Sequence, residues 1–343
     1  MPLVSVSLWS LLLVCFGAAA TAAEPVLRLS VVKQTLLHKQ DSSDVMGVAV
    51  IPQKGFLLWG MDLTKSPPDS RIELYSNDGI LIREIGEKGR GPGKYSNLRG
   101  FTLDDKNWIW VADAGQTRIS KFALDGSLAG SDIVMSPTFS TDSILLRPEQ
   151  NRKYLGGCLA KDGMATKGCL GLVHEYDMQS GKFLRSFLTT TEDKQRIERM
   201  YIRWQNIVMD SETTTTLYVS DMASRGFWII DLLSGTSKFI TIPSLPILPD
   251  MTDFAEARKA RDSLQMISHI FQIKGDVYVG IRSPEAKGVS TQILKFDSKG
   301  KFLGKTVTTP GVLAGKTREG NLLFTKSSPT GVIVFEMSPS RRQ

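Results

Sequence analysis

Side chains able to bind metal or to act as nucleophiles are few and widely spaced in this chain. It has three histidines, His38, His174 and His269, and three cysteines, two of which are Cys158 and Cys169. Zinc and related metals are held by several His, Cys or carboxylate ligands at short motif spacings, and no such spacing occurs. A single histidine in a strand of mixed polarity is more often structural than catalytic. The sequence therefore predicts neither a metal nor a cofactor.

Cys158 and Cys169 flank the polar segment 161–167. If this segment is the bend of a hairpin centred near Gly163, the two thiols lie opposite each other on neighbouring strands. Residues in that position are about 4.5 to 5.5 Å apart, within the range that a disulfide bridges. We expect a Cys158–Cys169 disulfide in an oxidising compartment, and two unpaired core thiols are the alternative.

Two further patterns resemble binding motifs but have structural explanations. Gly89, Gly91 and Gly93 are spaced like a phosphate-binding loop, but neither Lys-Ser nor Lys-Thr follows and no helix begins there. We interpret them as a turn between repeats. Asp113 and Asp221 each end an apolar run, where an aspartate commonly accepts hydrogen bonds from the backbone of the following turn.

The elements around these residues form a repeat. An apolar run ending near an Asp, a second β-rich run and a turn dipeptide recur along the chain, which indicates a propeller or similar array. The copies pair residues 56–62 with 71–75, 108–113 with 118–122, 154–159 with 170–176, 217–221 with 227–231, 277–281 with 292–297, and 321–326 with 332–336. Val, Ile and aromatic residues fill the runs, with Gly, Asn, Asp and Ser between them. Each unit has four candidate strands, as in a propeller blade.

The last unit supplies three strands, at residues 311–316, 321–326 and 331–336, while residues 26–32 form a strand without a blade. An N-terminal strand that completes the last blade closes the ring and leaves no open edge. The predicted fold is therefore all-β: a six-bladed β-propeller of four-stranded antiparallel blades. Because the third unit is irregular, a count of five or seven blades stays open as an alternative. Residues 24–343 are predicted to form one domain, with short helical insertions near 189–200 and 250–263.

Residues 1–23 have the pattern of a signal peptide. An apolar run over residues 8–16 precedes small residues suited to cleavage after Ala22 or Ala23. No Lys or Arg precedes the run, and a retained membrane anchor is the alternative. We expect a secreted or periplasmic protein. Its net charge of +7 comes from basic residues interspersed with acidic ones, which disfavours a nucleic-acid partner.

Residues 86–95, 110–113, 118–122 and the turn Asp125-Gly126 together resemble an NHL repeat. They are also similar to the repeats of bacterial exported six-bladed propellers. Calcium-dependent lactonases resemble this fold, and the resemblance implies carboxylate and amide ligands on the innermost strands. Aligning those strands places Met46, Arg99, Gln205 and Ser268 at one level and Gly47, Gly100, Asn206 and His269 at the next. Neither level contains a carboxylate.

We therefore expect a non-enzymatic scaffold with a polar, mildly basic channel mouth. Its candidate ligand-binding residues are Arg99, Arg203, Gln205, Asn206 and His269. Such a lining suits a protein, a glycan or a small anionic ligand through charge-assisted hydrogen bonds. The alternative is a metal-dependent hydrolase or lyase, similar to the lactonases, on the same fold.

Overall fold

The computed structural model contains six four-stranded antiparallel sheets arranged as blades. It describes residues 25–39, 44–62, 69–113, 115–116, 118–134, 143–147, 151–157, 171–189, 207–221, 224–246, 264–285, 288–307 and 309–339. The blade count and the four-stranded antiparallel blades predicted from the sequence are confirmed, and the third unit forms an ordinary blade. In the described part of the chain, no helix has the length and apolar character needed to cross a membrane.

The first half of the chain forms β1 and three blades. Strand β1 spans Leu29–Leu37. Blade 1 consists of β2 (Asp44–Ile51), β3 (Gly55–Asp62), β4 (Asp69–Tyr75) and β5 (Leu81–Ile85). A two-stranded parallel ribbon follows, formed by β6 (Glu87–Lys88) and β7 (Lys94–Tyr95). Blade 2 consists of β8 (Leu98–Leu103), β9 (Ile109–Asp113), β10 (Arg118–Phe122) and β11 (Ile133–Val134). Blade 3 consists of β12 (Ser143–Arg147), β13 (Arg152–Gly156), β14 (Val173–Asp177) and β15 (Phe183–Phe187).

The second half forms the remaining blades. Blade 4 consists of β16 (Ile207–Asp210), β17 (Thr216–Asp221), β18 (Gly226–Asp231) and β19 (Ser237–Thr241). Blade 5 consists of β20 (Met266–Ile273), β21 (Asp276–Glu285), β22 (Gly288–Phe296) and β23 (Phe302–Lys305). Blade 6 consists of β24 (Val312–Lys316), β25 (Leu322–Ser328) and β26 (Gly331–Pro339), and β1 is its fourth strand.

The core lies between neighbouring blades, because both faces of each blade are covered. All five residues of β9 are buried, which explains why its sequence is a continuous run rather than an alternation of polar and apolar residues. Leu57 of blade 1 packs in one cluster with Val111 of blade 2. Tyr154 of blade 3 packs in another with Leu217 of blade 4.

Strand β1 pairs antiparallel with β26, as the sequence predicts, and completes blade 6. It begins three residues later than the predicted strand and ends at Leu37, which is fully buried. The preceding residues bind blade 5 instead: Leu27 N–H donates to the carbonyl oxygen of Lys305 at 2.7 Å, and Lys305 N–H donates to that of Pro25 at 3.0 Å. The N-terminal segment thus joins blades 5 and 6.

Strand β11 is much shorter than the predicted strand over residues 127–134. Gly130 has a φ of 85°, in the left-handed region that a strand excludes, and β11 begins only at Ile133. The helical insertions predicted at 189–200 and 250–263 and the leader at 1–23 lie outside the described residues, apart from Thr189. They stay predictions.

Candidate functional site in the central channel

The innermost strands of the six blades surround a central channel. Strands β2, β8, β12, β16, β20 and β24 each contact the corresponding strand of the next blade, and β24 contacts β2 to close the ring. All six are the first strand of their blade's meander, so they run in the same direction. We call the channel end at their first residues the mouth and the end at their last residues the floor.

Four of these strands carry a β-bulge near the mouth. The pairing register shifts at Met46 in β2, Arg99 in β8, Ser268 in β20 and Ala314 in β24. Bulges redirect side chains and are common beside functional sites. Met46, Arg99 and Ser268 are the residues that the sequence alignment placed at one level.

The predicted ligand-binding residues are only partly described. The backbone of Arg99 lies in the β8 bulge, and His269 directly follows the equivalent bulge of β20. Arg203, Gln205 and Asn206 lie outside the described residues, as do Cys158 and Cys169. The structure thus brings Arg99 and His269 to adjacent levels of the mouth, and the other three residues stay predictions.

His269 has a polar atom without a hydrogen-bond partner. Its Nδ1 is enclosed and has no hydrogen-bond partner among the described residues, while its ring lies 5.7 Å from that of Phe271 at an interplanar angle of 30°. Burial lowers the pKa of His269 to about 4, so the imidazole is neutral at neutral pH. Buried polar atoms without a partner are exceptions in folded proteins, and the Nδ1 of His269 is one of these exceptions.

At the floor, the inner strands of blades 4, 5 and 6 are joined by polar contacts. The Lys316 ammonium contacts Asp210 Oδ2 at 2.5 Å and donates to the carbonyl oxygen of Gln272 at 2.8 Å. The same Asp210 oxygen accepts a hydrogen bond from Gln272 N–H at 2.8 Å. Lys316 in blade 6 therefore reaches blade 4 past the strand of blade 5.

A second side chain of blade 6 reaches in the other direction. Arg318 Nη2 donates to the carbonyl oxygen of Asp104 at 2.6 Å and to Asn107 Oδ1 at 3.1 Å, both in the first turn of blade 2. Blade 1 lies between blades 6 and 2 in the ring. Contacts between the inner ends of non-neighbouring blades are made across the channel, so Arg318 and Lys316 together cross the floor.

The connection from blade 1 to blade 2, residues 86–97, lies at the mouth and is held by buried charges. Asp113 accepts backbone N–H groups of Asn97 and Gly115 at 3.0 Å each, as expected for a turn aspartate. The guanidinium of Arg118 donates to the carbonyl oxygens of Gly91 and Lys94. These contacts agree with the interpretation of the glycines as a turn between blades.

The contacts across the floor were not recognised in the sequence. The available signal was positional: Asp210 and Lys316 are the last residues of their inner strands, where blades 1 and 5 have Ile51 and Ile273. A charge at a position that other copies fill with an apolar residue marks a difference between repeats. Among the described residues, no three His, Cys, Asp or Glu side chains are placed to hold a metal ion.

Six four-stranded blades around a channel, with the first strand completing the last blade, define the class of six-bladed β-propellers. In agreement, residues 69–141 match the family DUF5128, described as a 6-bladed beta-propeller. A 57-residue segment is 37% identical to the human NHL repeat-containing protein 3, over 17% of this chain and 16% of that protein. The predicted NHL-like, six-bladed architecture is confirmed.

Solved structures show the same fold over nearly the whole chain. A member of the DUF4221 family from Bacteroides vulgatus superposes with a TM-score of 0.59 at 14% identity, covering 91% of this chain and 98% of that one. A gluconolactonase from Xanthomonas campestris superposes with a TM-score of 0.54 at 13% identity, covering 91% and 90%. At these identities, the likeness is one of fold.

Proposed function

We propose that this protein is an exported, non-enzymatic propeller scaffold that binds its partner at the channel mouth. The observation that carries the proposal is the crossing of the floor by Arg318 and Lys316. We therefore expect a ligand to enter the channel at the mouth, opposite the floor that these two side chains cross. Ligand sites of barrels and propellers are commonly built at such an opening.

The chemistry of the mouth favours an anionic or hydroxyl-rich partner, which includes an acidic protein surface, a glycan or a small anion. Arg99 and Arg203 supply guanidinium groups, and Gln205 and Asn206 supply amides, in the positions predicted from the sequence. His269, which directly follows the bulge of β20, has an Nδ1 without a hydrogen-bond partner among the described residues. Arg90 lies in the connection from blade 1 to blade 2 at the mouth. It is exposed and has no ion pair among the described residues.

The export part of the proposal is supported by the leader-like residues 1–23 and by the cysteine pair. After cleavage, Cys158 and Cys169 are the remaining thiols, and an even number suits an oxidising compartment. Mass spectrometry of the exported protein with and without reduction tests both points. A retained leader or two free thiols would contradict them.

The binding proposal is tested with the mature protein, residues 24–343. A thermal-shift screen covers polyanions, acidic and neutral sugars, lactones and divalent cations, since a ligand of the folded state raises its apparent stability. Each ligand found is titrated against Arg99→Gln/Arg203→Gln. The matched control is Lys274→Gln/Lys299→Gln, whose lysines lie in turns on the floor side. We expect only the mouth variant to bind the ligand more weakly. Equal affinity of the two variants would contradict the mouth as the binding site.

The same screen separates the scaffold from an enzyme similar to the lactonases. The gluconolactonase from Xanthomonas campestris has the same fold, so the fold itself does not distinguish the two. A calcium ion that binds in a one-to-one ratio, together with hydrolysis of a lactone, would replace the scaffold by the metal-dependent hydrolase. Metal analysis of the purified protein is the first measurement.

A further inference from the structure

A second polar cavity lies far from the mouth, between blades 4 and 5. It is open to solvent, has a volume of about 490 Å³, and most of its lining residues are exposed. Turn residues of both blades line it on the floor side of the ring. It is separate from the mouth, so its ligand is independent of the proposed function.

The lining is rich in hydroxyl groups. They belong to Thr213, Thr216, Tyr218, Thr236, Ser237 and Ser298. Each hydroxyl both donates and accepts hydrogen bonds, as the hydroxyls of a sugar do. One carboxylate, Asp231, and one ammonium, Lys238, also line the cavity, so their charges balance. Ile229 adds an apolar surface for the C–H face of a sugar ring.

Contacts between the blades hold the cavity in shape. The Tyr218 hydroxyl donates to the carbonyl oxygen of Ser298 at 3.2 Å, and Lys238 Nζ donates to that of Lys299 at 3.3 Å. Asp231 is oriented by accepting the backbone N–H groups of Ser234 and Leu233, and these two hydrogen bonds, that of Ser234 first, lower the pKa of its carboxyl. A preformed site loses little conformational entropy when a ligand binds.

Gln272 connects the cavity to the channel floor. Its side chain is 2% exposed and lines the cavity, while its Oε1 accepts the backbone N–H of Glu212 at 2.6 Å. That bond orients the amide, whose NH₂ group remains as a donor. A buried, oriented amide beside a row of hydroxyls is an arrangement that discriminates among ligands by hydrogen bonding.

We propose that the cavity between blades 4 and 5 is a binding site for a neutral oligosaccharide. The balanced charge favours a neutral ligand over an anionic one, and the hydroxyl and amide groups of the lining favour a polyol over an apolar molecule.

The probes are cellotetraose, maltotetraose and chitotetraose, titrated by calorimetry against the mature protein. We expect at least one to bind, and Thr236→Val/Lys238→Met to weaken its binding by about thirtyfold, because each of the two lost hydrogen bonds contributes roughly 1 kcal/mol. The matched control, Thr214→Val/Lys299→Met, changes exposed residues beside the cavity and should bind as the unaltered protein does. All four side chains are exposed, so the fold should persist.

A blocking variant, Ser237→Trp, fills the cavity and should abolish binding. The mouth variant Arg99→Gln/Arg203→Gln should bind the same probe unchanged, which separates this site from the mouth. The proposal is overturned if no probe binds, if the cavity and control variants bind equally, or if the mouth variant alone loses binding.

Discussion

Arg318 of blade 6 donates a hydrogen bond to the backbone carbonyl oxygen of Asp104 in blade 2, although blade 1 lies between them and 214 positions separate them in the sequence. Lys316, two residues earlier, makes the corresponding contact to Asp210 of blade 4. Blade 6 is therefore linked to blades 2 and 4 at the floor, in addition to the packing between neighbours. These links restrict how far the blades can separate at the floor.

The first prediction concerns the charge that anchors Lys316. Asp210→Asn removes the carboxylate from a contact whose Asp side chain is 8% exposed, and leaves the lysine charge without its partner. Breaking a buried pair in this way should lower the free energy of unfolding by about 2 kcal/mol. Asp231→Asn, in an exposed turn, is the control and should change it far less. Urea unfolding measures the free energy of unfolding of both variants. Equal values would contradict a stabilising role for the Asp210–Lys316 contact at the floor.

The second prediction concerns Lys153, which is fully buried and whose Nζ has no hydrogen-bond partner among the residues that the structure describes. Burial lowers its pKa from 10.5 to about 8, with Asp177 acting in the opposite direction. At pH 7 the buried ammonium is charged, and Lys153→Met should raise the free energy of unfolding by about 2 to 3 kcal/mol.

The pH dependence of that gain provides the check. As the pH rises from 8 towards 10.5, the folded protein loses the Lys153 proton before the unfolded chain does, so the unaltered protein gains stability and the advantage of Lys153→Met disappears. Lys121→Met is the control, because Lys121 lies over the rings of Trp108 and Trp110 and stabilises the protein through that contact. A destabilised Lys153→Met at pH 7 refutes the prediction.

The third prediction concerns His174, which is fully buried. Its Nε2 contacts the carbonyl oxygen of Gly157 at 2.9 Å and its Nδ1 contacts Ser186 Oγ at 2.8 Å, so the neutral ring donates to the first and accepts from the second. Burial lowers the pKa of His174 from 6.5 to about 4, and the Gly157 contact offsets this in part. Below pH 6.5 the unfolded chain binds a proton that the folded protein excludes.

Stability should therefore fall as the pH falls from about 6.5 towards 4, by at most about 3 kcal/mol for this residue. His174→Gln should flatten the slope of unfolding free energy against pH between about 5 and 6.5, whatever it does to stability at pH 7. His38→Gln, at an exposed position, serves as the comparison, and the slope of His174→Gln should be the flatter of the two. Urea midpoints across this range give both slopes, and identical slopes for the three proteins would exclude His174 as their source.

The sequence was sufficient for the blades because strands and turns are encoded locally. The run that forms β9 was predicted at 108–113 and is observed at Ile109–Asp113. Turn dipeptides such as Asp125-Gly126 set the boundaries, since Gly126 has a φ of 81° that other residues rarely adopt. The shortened β11 was mispredicted because the composition of residues 127–134 did not reveal that Gly130 interrupts the strand.

The candidate site was less predictable because its contacts join distant parts of the chain. The inner-strand alignment placed Met46, Arg99 and Ser268 at one level, and the bulges give those positions a common geometry. The floor was missed because the Arg318–Asp104 contact depends on ring closure and has no local signature. The burial of Lys153 was missed for the same reason: a lysine in a strand is usually exposed, and here blade packing covers it.

The last prediction concerns ring closure by β1. Leu37 is fully buried in a cluster with Val334 of β26 and Phe56 of blade 1, so it joins the closing strand to its own blade 6 and to blade 1. Leu37→Ala should lower the free energy of unfolding by about 3 kcal/mol, through lost burial and the cavity that remains. Val31→Ala, a change in the same strand at a side chain that is 57% exposed, should cost less than about 0.5 kcal/mol. Chemical denaturation measures both, and similar losses for the two variants would show that β1 does not close the ring through its buried end.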